Sequence, residues 1–521
     1  MTTELPFQQY KVKSTQGRWI LAATILVSGM VALLGRSVSI ALPTIQSAFN
    51  TNIAGIQWVI SSYALVIAAL ILICGLLGDH FGRKRILNLG IVIFVFGCLL
   101  STFAQTIAQL IFFQAVIGLG AVLMLPACLS IINACFIETE KGWAISLWAG
   151  FSGAFGVAGF LIGGWILQII GWQLIYLINI PIGVIALFIT LRFVPETNNP
   201  DARGIDWVGT FWLAVGLFGL SYGLIIGPIV GWTDYVTLTS LIVGVLGTLL
   251  FLFSQIRSKH PLIPLSIFRD RLVAGANAVT FFLYFSLTGV YVFLVIYFQQ
   301  LHGYSPLQAG AAMLPPSLLV TLFASKFGSL ADRIGPRLPL IVGPTLSAIG
   351  IALLTLPGAN ANYFTQFLPA LIIFGTGMII FVAPITKAAL AVDSKYSGVA
   401  SGVNNAVARI SGLMAIAVLG ALMATVFKSS LNTTLSHAKL TKEQQMQILD
   451  QADKVGGVEI PGTFDNTAAV EARQAIQESF VYAFRWAMGV CAALASLSAL
   501  VSVIIIRNPK GKQKHARNTG M

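Results

Sequence analysis

The chain has 521 residues, of which 57% are hydrophobic and only 9% are charged. Because a soluble domain carries roughly 25% charged residues, this composition excludes a soluble globular protein and indicates an integral membrane protein surrounded by lipid bilayer. The net charge of +13 does not indicate nucleic acid as a partner, since the basic residues fall mainly in short connections and in the two tails.

Fourteen apolar windows are long enough to cross a hydrocarbon core of ~30 Å, so we predict an all-α membrane fold. In chain order they are Trp19–Leu42, Ile56–Leu77, Ile86–Ala104, Leu110–Ala134, Trp143–Ile166, Trp172–Arg192, Trp207–Gly227, Val236–Phe253, Ala274–Phe298, Ala309–Leu330, Leu338–Leu356, Phe367–Leu390, Val403–Phe427 and Phe480–Ile506. The first window is similar to a signal peptide, but it is too long for one and no small-residue cleavage site follows it. We therefore interpret it as a retained first span.

Lysine and arginine mark every second connection between the windows. They stand at Arg83/Lys84/Arg85, Lys141, Arg192/Arg203, Arg257/Lys259/Arg269/Arg271, Arg333/Arg337, Lys395 and in the tail from Arg507 to Arg517, whereas the short loops between these positions lack them. Basic residues are concentrated in cytoplasmic loops, so we expect both termini to be cytoplasmic.

The most informative connection is Gly78–Arg85, with the sequence GDHFGRKR between two uncharged windows. A fainter copy occurs at Gly328–Arg337, after the second window of a second group of six, and repeated halves are typical of transporters. The chain then divides into a tail over 1–18, a six-helix bundle over 19–200, two inserted helices over 201–258, a second six-helix bundle over 259–506 and a basic tail over 507–521.

The long connection 428–479 faces outward in this topology. Its residues Thr441 to Gln444 form a capping-box pattern, which predicts a short polar helix through about Lys454. A substrate cap is one interpretation of this connection; we favour a solvated insertion without a role in transport.

Cysteine and histidine give no sign of catalysis or metal binding. The five cysteines are scattered without a CxxC pair, and the five histidines lie in connections or the tail without a catalytic partner. We expect no enzyme activity, no metal and no cofactor.

Several stretches together resemble the major facilitator superfamily, and the number of windows is that of its fourteen-span drug:proton antiporter branch. The resemblance rests on GDHFGRKR, on ALP at 41–43, on QWV at 57–59 with Tyr63, on the glycines of the fifth window, on GWQLIYLINIPIG at 171–183, on HPLIPL at 260–265, on GYSPLQAG at 303–310 and on the segment 398–412. It implies two six-helix halves and two inserted helices.

The resemblance also implies a function. It implies export of amphipathic or hydrophobic small molecules, as in multidrug or quaternary-ammonium exporters, by a monomer in the bacterial inner membrane with the proton gradient as energy source. The alternative within the same fold is a transporter of an anionic substrate, such as an organic acid or acidic lipid, with atypical coupling. A receptor built on this fold is disfavoured because the tails are too short for a signalling domain.

We expect the gate on the cytoplasmic side to use the two repeated connections. Gly78 and Gly82 permit a tight reversal, and Asp79 can accept hydrogen bonds from Arg83 or from the N–H groups of a neighbouring helix N-terminus. Such contacts can latch the two halves. By position, Asp332 belongs to the second copy, and Arg409 belongs to the same gate or to a helix contact.

The fifth window carries glycines that strip one face of side chains and permit close helix packing. We predict the contact between the two halves at Gly153, Gly156, Gly159, Gly163 and Gly164. The resemblance identifies this segment as the antiporter motif, in which a proline usually precedes the last glycines; here Phe160 stands at that position.

Two charges usual in the superfamily are absent, because Leu34 and Gln114 occupy the positions of an Asp in the first helix and an Arg in the fourth. Arg36 is present instead, and a charge within a span indicates a functional site, although it can also extend to the outer interface. Our candidates for substrate binding or coupling are Arg36, Tyr63, Gln114, Trp148, Asn404 and Asn405, with Tyr284 and Tyr291 as further aromatic candidates.

Overall fold

The computed structural model describes residues 9–198, 204–391 and 397–506. The first part of the chain forms helices α1 (Thr15–Ala48), α2 (Ile53–Phe81), α3 (Arg83–Thr102), α4 (Ile107–Cys135), α5 (Glu138–Ile169), α6 (Gln173–Leu177), α7 (Asn179–Phe193), α8 (Trp207–Val230) and α9 (Tyr235–Arg257). The second forms α10 (Arg271–Gln300), α11 (Pro306–Ala312), α12 (Leu314–Ile334), α13 (Arg337–Leu353), α14 (Leu368–Ala389), α15 (Ser397–His437), α16 (Lys442–Leu449) and α17 (Asn466–Ile505).

Every one of the fourteen predicted windows overlaps a helix. Among the described residues, twelve helices are long and apolar enough to cross a membrane, and α11 with α12 forms a thirteenth span if this pair, bent by 43°, is counted as one. The remaining window contains α13, whose 17 residues extend only about 26 Å. The all-helical membrane fold is confirmed, while the count of fourteen stays a prediction.

Polar side chains fix where the long helices begin. The side chains of Ser14, Asn52, Thr106, Asp206, Asp234, Asp270 and Asp465 each accept a hydrogen bond from a backbone N–H of the helix that follows. These N–H groups have no partner within the helix, so a capping oxygen stabilises each start where the chain leaves the apolar region.

The helices form two bundles and an inserted pair. α1 to α7 pack together, α10 to α17 pack together, and α8 packs along α9 and also contacts α2 and α15. Glycines bring α8 and α9 into backbone contact, since a Cβ on Gly219 would lie 2.6 Å from the nitrogen of Gly244. The inserted pair therefore lies against one helix of each bundle.

We name the two ends of the bundle by what they carry. The termini end is where α1 begins and α17 ends, and the loop end carries the connection between α15 and α17. At the termini end the segment before α1 is fixed to the end of α4 and the start of α5, because the N–H of Tyr10 donates to Cys135 O (2.7 Å) and the N–H of Val12 donates to Glu140 Oε2 (2.6 Å).

The connection at the loop end is folded. Thr441 and Gln444 form the predicted capping box, but α16 ends at Leu449 and a 3-10 segment, Ala452–Gly457, follows it. Ile448 and Val455 are completely or almost completely buried. Our interpretation of a solvated insertion is therefore wrong for these apolar side chains, which pack against the bundle. Many other residues of the connection are exposed, and its lack of a role in transport stays a prediction.

Candidate functional site

The two halves are joined at the loop end by side-chain hydrogen bonds. Gln299 Nε2 donates to Ile40 O and Gln300 Nε2 donates to Gln46 Oε1, each over 2.8 Å. The folded connection adds two bonds, from Gln46 Nε2 to Lys454 O (3.0 Å) and from Lys454 Nζ to Asn50 Oδ1 (2.8 Å). We call Gln46, Asn50, Gln300 and Lys454 the loop-end clasp. None of them was predicted as a contact between the halves, because polar residues just outside the apolar windows give no such signal in sequence.

The predicted glycine face of α5 is used mainly near the loop end. A Cβ on Gly164 would lie 2.7 Å from the backbone of Leu307 in the second half, whereas Gly159 and Gly163 lie against α1 in their own half. Close packing of these three glycines is confirmed. The contact between the halves, which we predicted for all five glycines, belongs to Gly164 here, because Gly159 and Gly163 face α1.

Toward the termini end the same helices separate. A Cβ on Gly153 would have Thr321 Oγ1 as its nearest neighbour at 3.8 Å, and a Cβ on Gly156 would meet only Ala32 of its own half at that distance. Gly150 and Gly153 are exposed, as are the side chains from Thr321 to Phe323 on α12. Along α5 and the facing α11 and α12, the halves thus meet closely at the loop end and diverge toward the termini end, whereas α2 and α15 stay in contact at Leu72 and Gly402.

The basic connection is shorter than predicted. Gly78, Asp79 and His80 belong to α2, and only Gly82, with φ +102°, interrupts the helical path before α3. The tight reversal is confirmed at Gly82, where the left-handed backbone favours glycine. It is wrong for Gly78, which is helical.

The charges of this connection bond within the first half. Arg83 donates from Nε and NH2 to Asp79 Oδ1 over 2.9 and 2.8 Å, as predicted. The carboxylate of Glu196 accepts from the Lys84 N–H (3.0 Å), and the Arg83 N–H donates to Thr197 O (2.8 Å). In this conformation the described contacts do not join the halves, so the latch stays a prediction. The side chain of Asp332 lies outside the described residues.

Arg36 lies at the centre of the bundle between the halves. Its guanidinium carbon is 4.4 Å from the ring centroid of Tyr291 on α10 and 5.3 Å from that of Phe160 on α5. The two rings are stacked with their centroids 6.0 Å apart, and Tyr291 Oη lies 3.1 Å from Ser317 Oγ. Arg36 therefore makes cation–π contacts with both halves. The unusual Phe160 is the side chain that the sequence analysis did not connect with Arg36.

Arg409 faces the same region from α15. It interacts electrostatically with Arg36, Tyr63 and Tyr284, and its side chain is exposed. Its neighbours on one face of α15, Gly402 and Gly420, approach α2 at Leu72 and Gln57. The structure thus brings Arg36, Tyr63, Tyr284, Tyr291 and Arg409 together between the halves.

The other candidates bond within one half. Gln114 Nε2 donates to the Tyr176 hydroxyl (2.7 Å), Trp148 Nε1 donates to Ser28 Oγ (2.8 Å), and Asn404 Nδ2 donates to Thr280 Oγ1 (2.8 Å). Asn405 bonds to its own helix at Ser401 O. Gln114 is only 2% exposed, and its hydrogen bond joins α4 to α6 within the first half. Roles of these side chains in substrate binding stay predictions.

No carboxylate accompanies the central arginines. None of the 18 acidic residues lies in the fourteen apolar windows, and no salt bridge to Arg36 or Arg409 occurs in the described part of the chain. The described residues also hold no cluster of metal-ligating side chains. The site is a cationic, aromatic cluster of side chains between two helical bundles.

This architecture defines a helical membrane transporter built from two bundles. The sequence model of the Major Facilitator Superfamily matches residues 24–416, so the chain belongs to that superfamily.

Relatives with assigned names agree with this membership. The chain is 32% identical over 420 residues to the multidrug resistance protein Stp of Mycobacterium tuberculosis (strain CDC 1551 / Oshkosh), covering 80% of this chain and 78% of that protein. It is 29% identical to the tetracenomycin C resistance and export protein of Streptomyces glaucescens, covering 91% of this chain and 89% of that protein.

Solved structures support the fold alone, because their sequence identities are low. A bacterial homologue of the human lysosomal transporter Spinster, inward-facing and occupied, superposes with a TM-score of 0.63 at 16% identity, covering 95% of this chain and 97% of the homologue. The peptide transporter POT in complex with sulfate superposes with a TM-score of 0.64 at 13% sequence identity, covering 95% of this chain and 96% of that transporter.

Proposed function

We propose that this protein exports amphipathic or hydrophobic small molecules across a bacterial inner membrane by alternating access, in exchange for protons. The observation that carries the proposal is the difference between the two ends of the bundle. The two halves are bonded together at the loop end, and α5 and α12 are separated at the termini end. A cargo site at Arg36 and Tyr291 then lies below the closed end and is open toward the other.

Membership of the superfamily and the names of the relatives support export as the direction. We further propose fourteen spans, with α11 and α12 as one bent span and α13 as the shortest, and both termini in the cytoplasm. An even number of spans returns the chain to its starting side, in accord with the basic connections at the termini end. We propose that the working unit is a monomer, because each chain contains both halves.

Transport is tested in vesicles that contain the purified protein and carry an imposed pH gradient. Cationic, neutral and anionic dyes are followed for uptake, and an internal pH indicator follows proton release. We expect uptake of amphipathic dyes with proton movement in the opposite direction. Uptake of a cationic dye without proton movement would refute antiport, and vesicles that behave like protein-free vesicles for every compound would refute export.

Alternating access is tested by a reversible lock at the loop end. Cysteines are introduced together at Gln46 and Gln300, whose side chains bond to each other; the native cysteines are all buried. Because a direct disulfide needs the two Cβ atoms about 3.5–4.5 Å apart and these side chains meet at their ends, a short bis-methanethiosulfonate reagent links the two cysteines. We expect the cross-link to stop transport and reduction to restore it. The two single-cysteine variants are the matched controls and should keep transport after the same treatment. Full transport by the cross-linked double variant would contradict the mechanism.

A further inference from the structure

Arg36 presents a charge without a counter-charge within a membrane-spanning helix, in the part of α1 nearer the loop end. A cation in this position is unfavourable unless it meets a partner or water. In the described part of the chain its guanidinium group lies by the rings of Tyr291 and Phe160, and the charged group that acts on it is Arg409, which has the same sign. A partner of opposite charge would have to come from outside the chain.

The geometry of the guanidinium group indicates how such an anion is bound. The guanidinium carbon of Arg36 lies over the Tyr291 ring, and no hydrogen-bond acceptor of the described chain approaches its N–H groups closely enough for a bond. Guanidinium N–H groups lie in one plane and match the two oxygens of a carboxylate or a similar oxyanion. Because no hydrogen bond within the described chain uses these N–H groups, they are left for this bidentate contact.

The surroundings of the two arginines favour an aromatic body for the same ligand. Tyr63 and Tyr284 both interact with Arg409 and are only partly buried. Phe160 and Tyr291 are almost fully buried against Arg36, so the aromatic surface left for a ligand is that of Tyr63 and Tyr284. Aromatic rings pack on one another in offset-stacked or edge-on arrangements.

We propose that the space between Arg36 and Arg409 is a binding site for the oxyanion of an aromatic substrate. This inference rests on the proposed function and names the class of cargo. Arg36 belongs to the first half and Arg409 to the second, so an empty site sets two like charges against each other across the gap. An anion between them removes that repulsion and favours approach of the halves, which links binding to closure.

The experiment measures binding separately from transport. The purified full-length protein is titrated with 1-naphthoate, 1-naphthamide and 1-naphthylmethylamine, which share one ring system and differ in charge, and with acetate and inorganic phosphate. Arg36→Gln is compared with Arg257→Gln. Arg257 is the matched control, because its guanidinium carbon also lies 4.4 Å from a ring centroid, that of Phe253 on α9 outside the two halves.

We expect wild type to prefer 1-naphthoate over the amide and the amine by about tenfold, as for one charge-assisted contact. Arg36→Gln should abolish that preference and leave amide binding unchanged, Arg36→Lys should retain part of it, and Arg257→Gln should match wild type. The unfolding temperature of Arg36→Gln in detergent should be no lower than that of wild type, since the variant removes a charge that has no counter-charge.

Equal binding of 1-naphthoate by wild type and Arg36→Gln would overturn the inference, as would a preference for the amine. Binding of acetate or phosphate as tight as that of 1-naphthoate would refute recognition of the aromatic body and indicate a site for small anions. If the preference depends on Arg36 but no compound crosses vesicles, the binding site stands and the proposed function fails. If cations cross in exchange for protons and 1-naphthoate does not bind, the proposed function stands and the inferred binding site fails.

Discussion

The two ends of this transporter use the same helices differently. At the loop end, Gly164 lies at the backbone of Leu307 and four side chains of the clasp bond across the halves. At the termini end, the nearest neighbour of Gly153 is Thr321 at ordinary contact distance, and the charges around Gly82 bond within one half. The loop end therefore carries the side-chain bonds between the halves, whereas the charged groups around Gly82 at the termini end bond inside one bundle.

The largest effect should follow from blocking the closure itself. Gly164→Ala places a Cβ within 2.7 Å of the Leu307 backbone, and overpacking of this kind costs about 1–3 kcal/mol, so transport should fall about tenfold or more. Gly150→Ala is the control, because nothing lies within 4 Å of a Cβ there. Dye export by the two variants is compared in vesicles; equal loss in both would contradict a closure specific to Gly164.

A smaller effect should follow from removing the clasp. Gln46→Ala deletes its bonds to Gln300 and Lys454, which together contribute about 1–3 kcal/mol at the usual net value of a hydrogen bond. We expect faster hydrogen exchange in residues 452–457 and a larger outward-open population. Gln444→Ala, which removes a cap within the same connection, serves as control. Unchanged exchange in Gln46→Ala would show that packing alone holds this end.

At the termini end, loss of a charge should affect stability and leave the closure unchanged. Glu196→Ala removes the acceptor of the Lys84 N–H; because the Glu196 side chain is 38% exposed, we expect a loss of only about 1 kcal/mol. Thermal unfolding in detergent measures it, with the highly exposed Glu138→Ala as control. A change in exchange at residues 452–457 would instead show that the two ends are coupled.

The smallest effect concerns acid at the loop end. Burial lowers the pKa of His302, which packs among the rings of Tyr297 and Phe367. Folding favours the neutral form of His302. Its contribution to the stability of the fold is therefore complete above the unfolded pKa of about 6.5, and it is lost as the pH falls from there toward the lower pKa of the folded state. Thermal stability should fall below about pH 6.5, and His302→Phe should reduce this dependence. An identical pH profile in both proteins would exclude His302 as the cause.

The sequence predicts the membrane fold well because length and polarity are local properties. The windows correspond to helices, and the capping box at Thr441 is present because it depends on residues three positions apart. The pairing of Asp79 with Arg83 was likewise predictable, because the two residues are close in sequence on either side of the reversal at Gly82.

Contacts between distant residues could not be predicted in this way. Arg36 and Phe160 were both noticed as departures from the usual pattern, but only the fold places one against the other, 124 positions apart in sequence. Gln46 and Gln300 of the clasp lie just outside the apolar windows, and only the fold brings them together and places Lys454 beside Gln46. Gln114 shows the converse, because its polar side chain in a span has a hydrogen-bond partner, Tyr176, inside one bundle.

The inserted pair has a consequence for how cargo dissolved in lipid reaches the centre. α8 contacts both α2 and α15, and the rings of Phe218 and Tyr222 lie against Trp58 of α2. The seam between α2 and α15 is thus covered, and acyl chains are kept away from it. We therefore expect a compound that partitions into the bilayer to approach the centre from the opposite side, between α5 and α12, where the nearest described neighbour of a Cβ on Gly153 would lie at 3.8 Å.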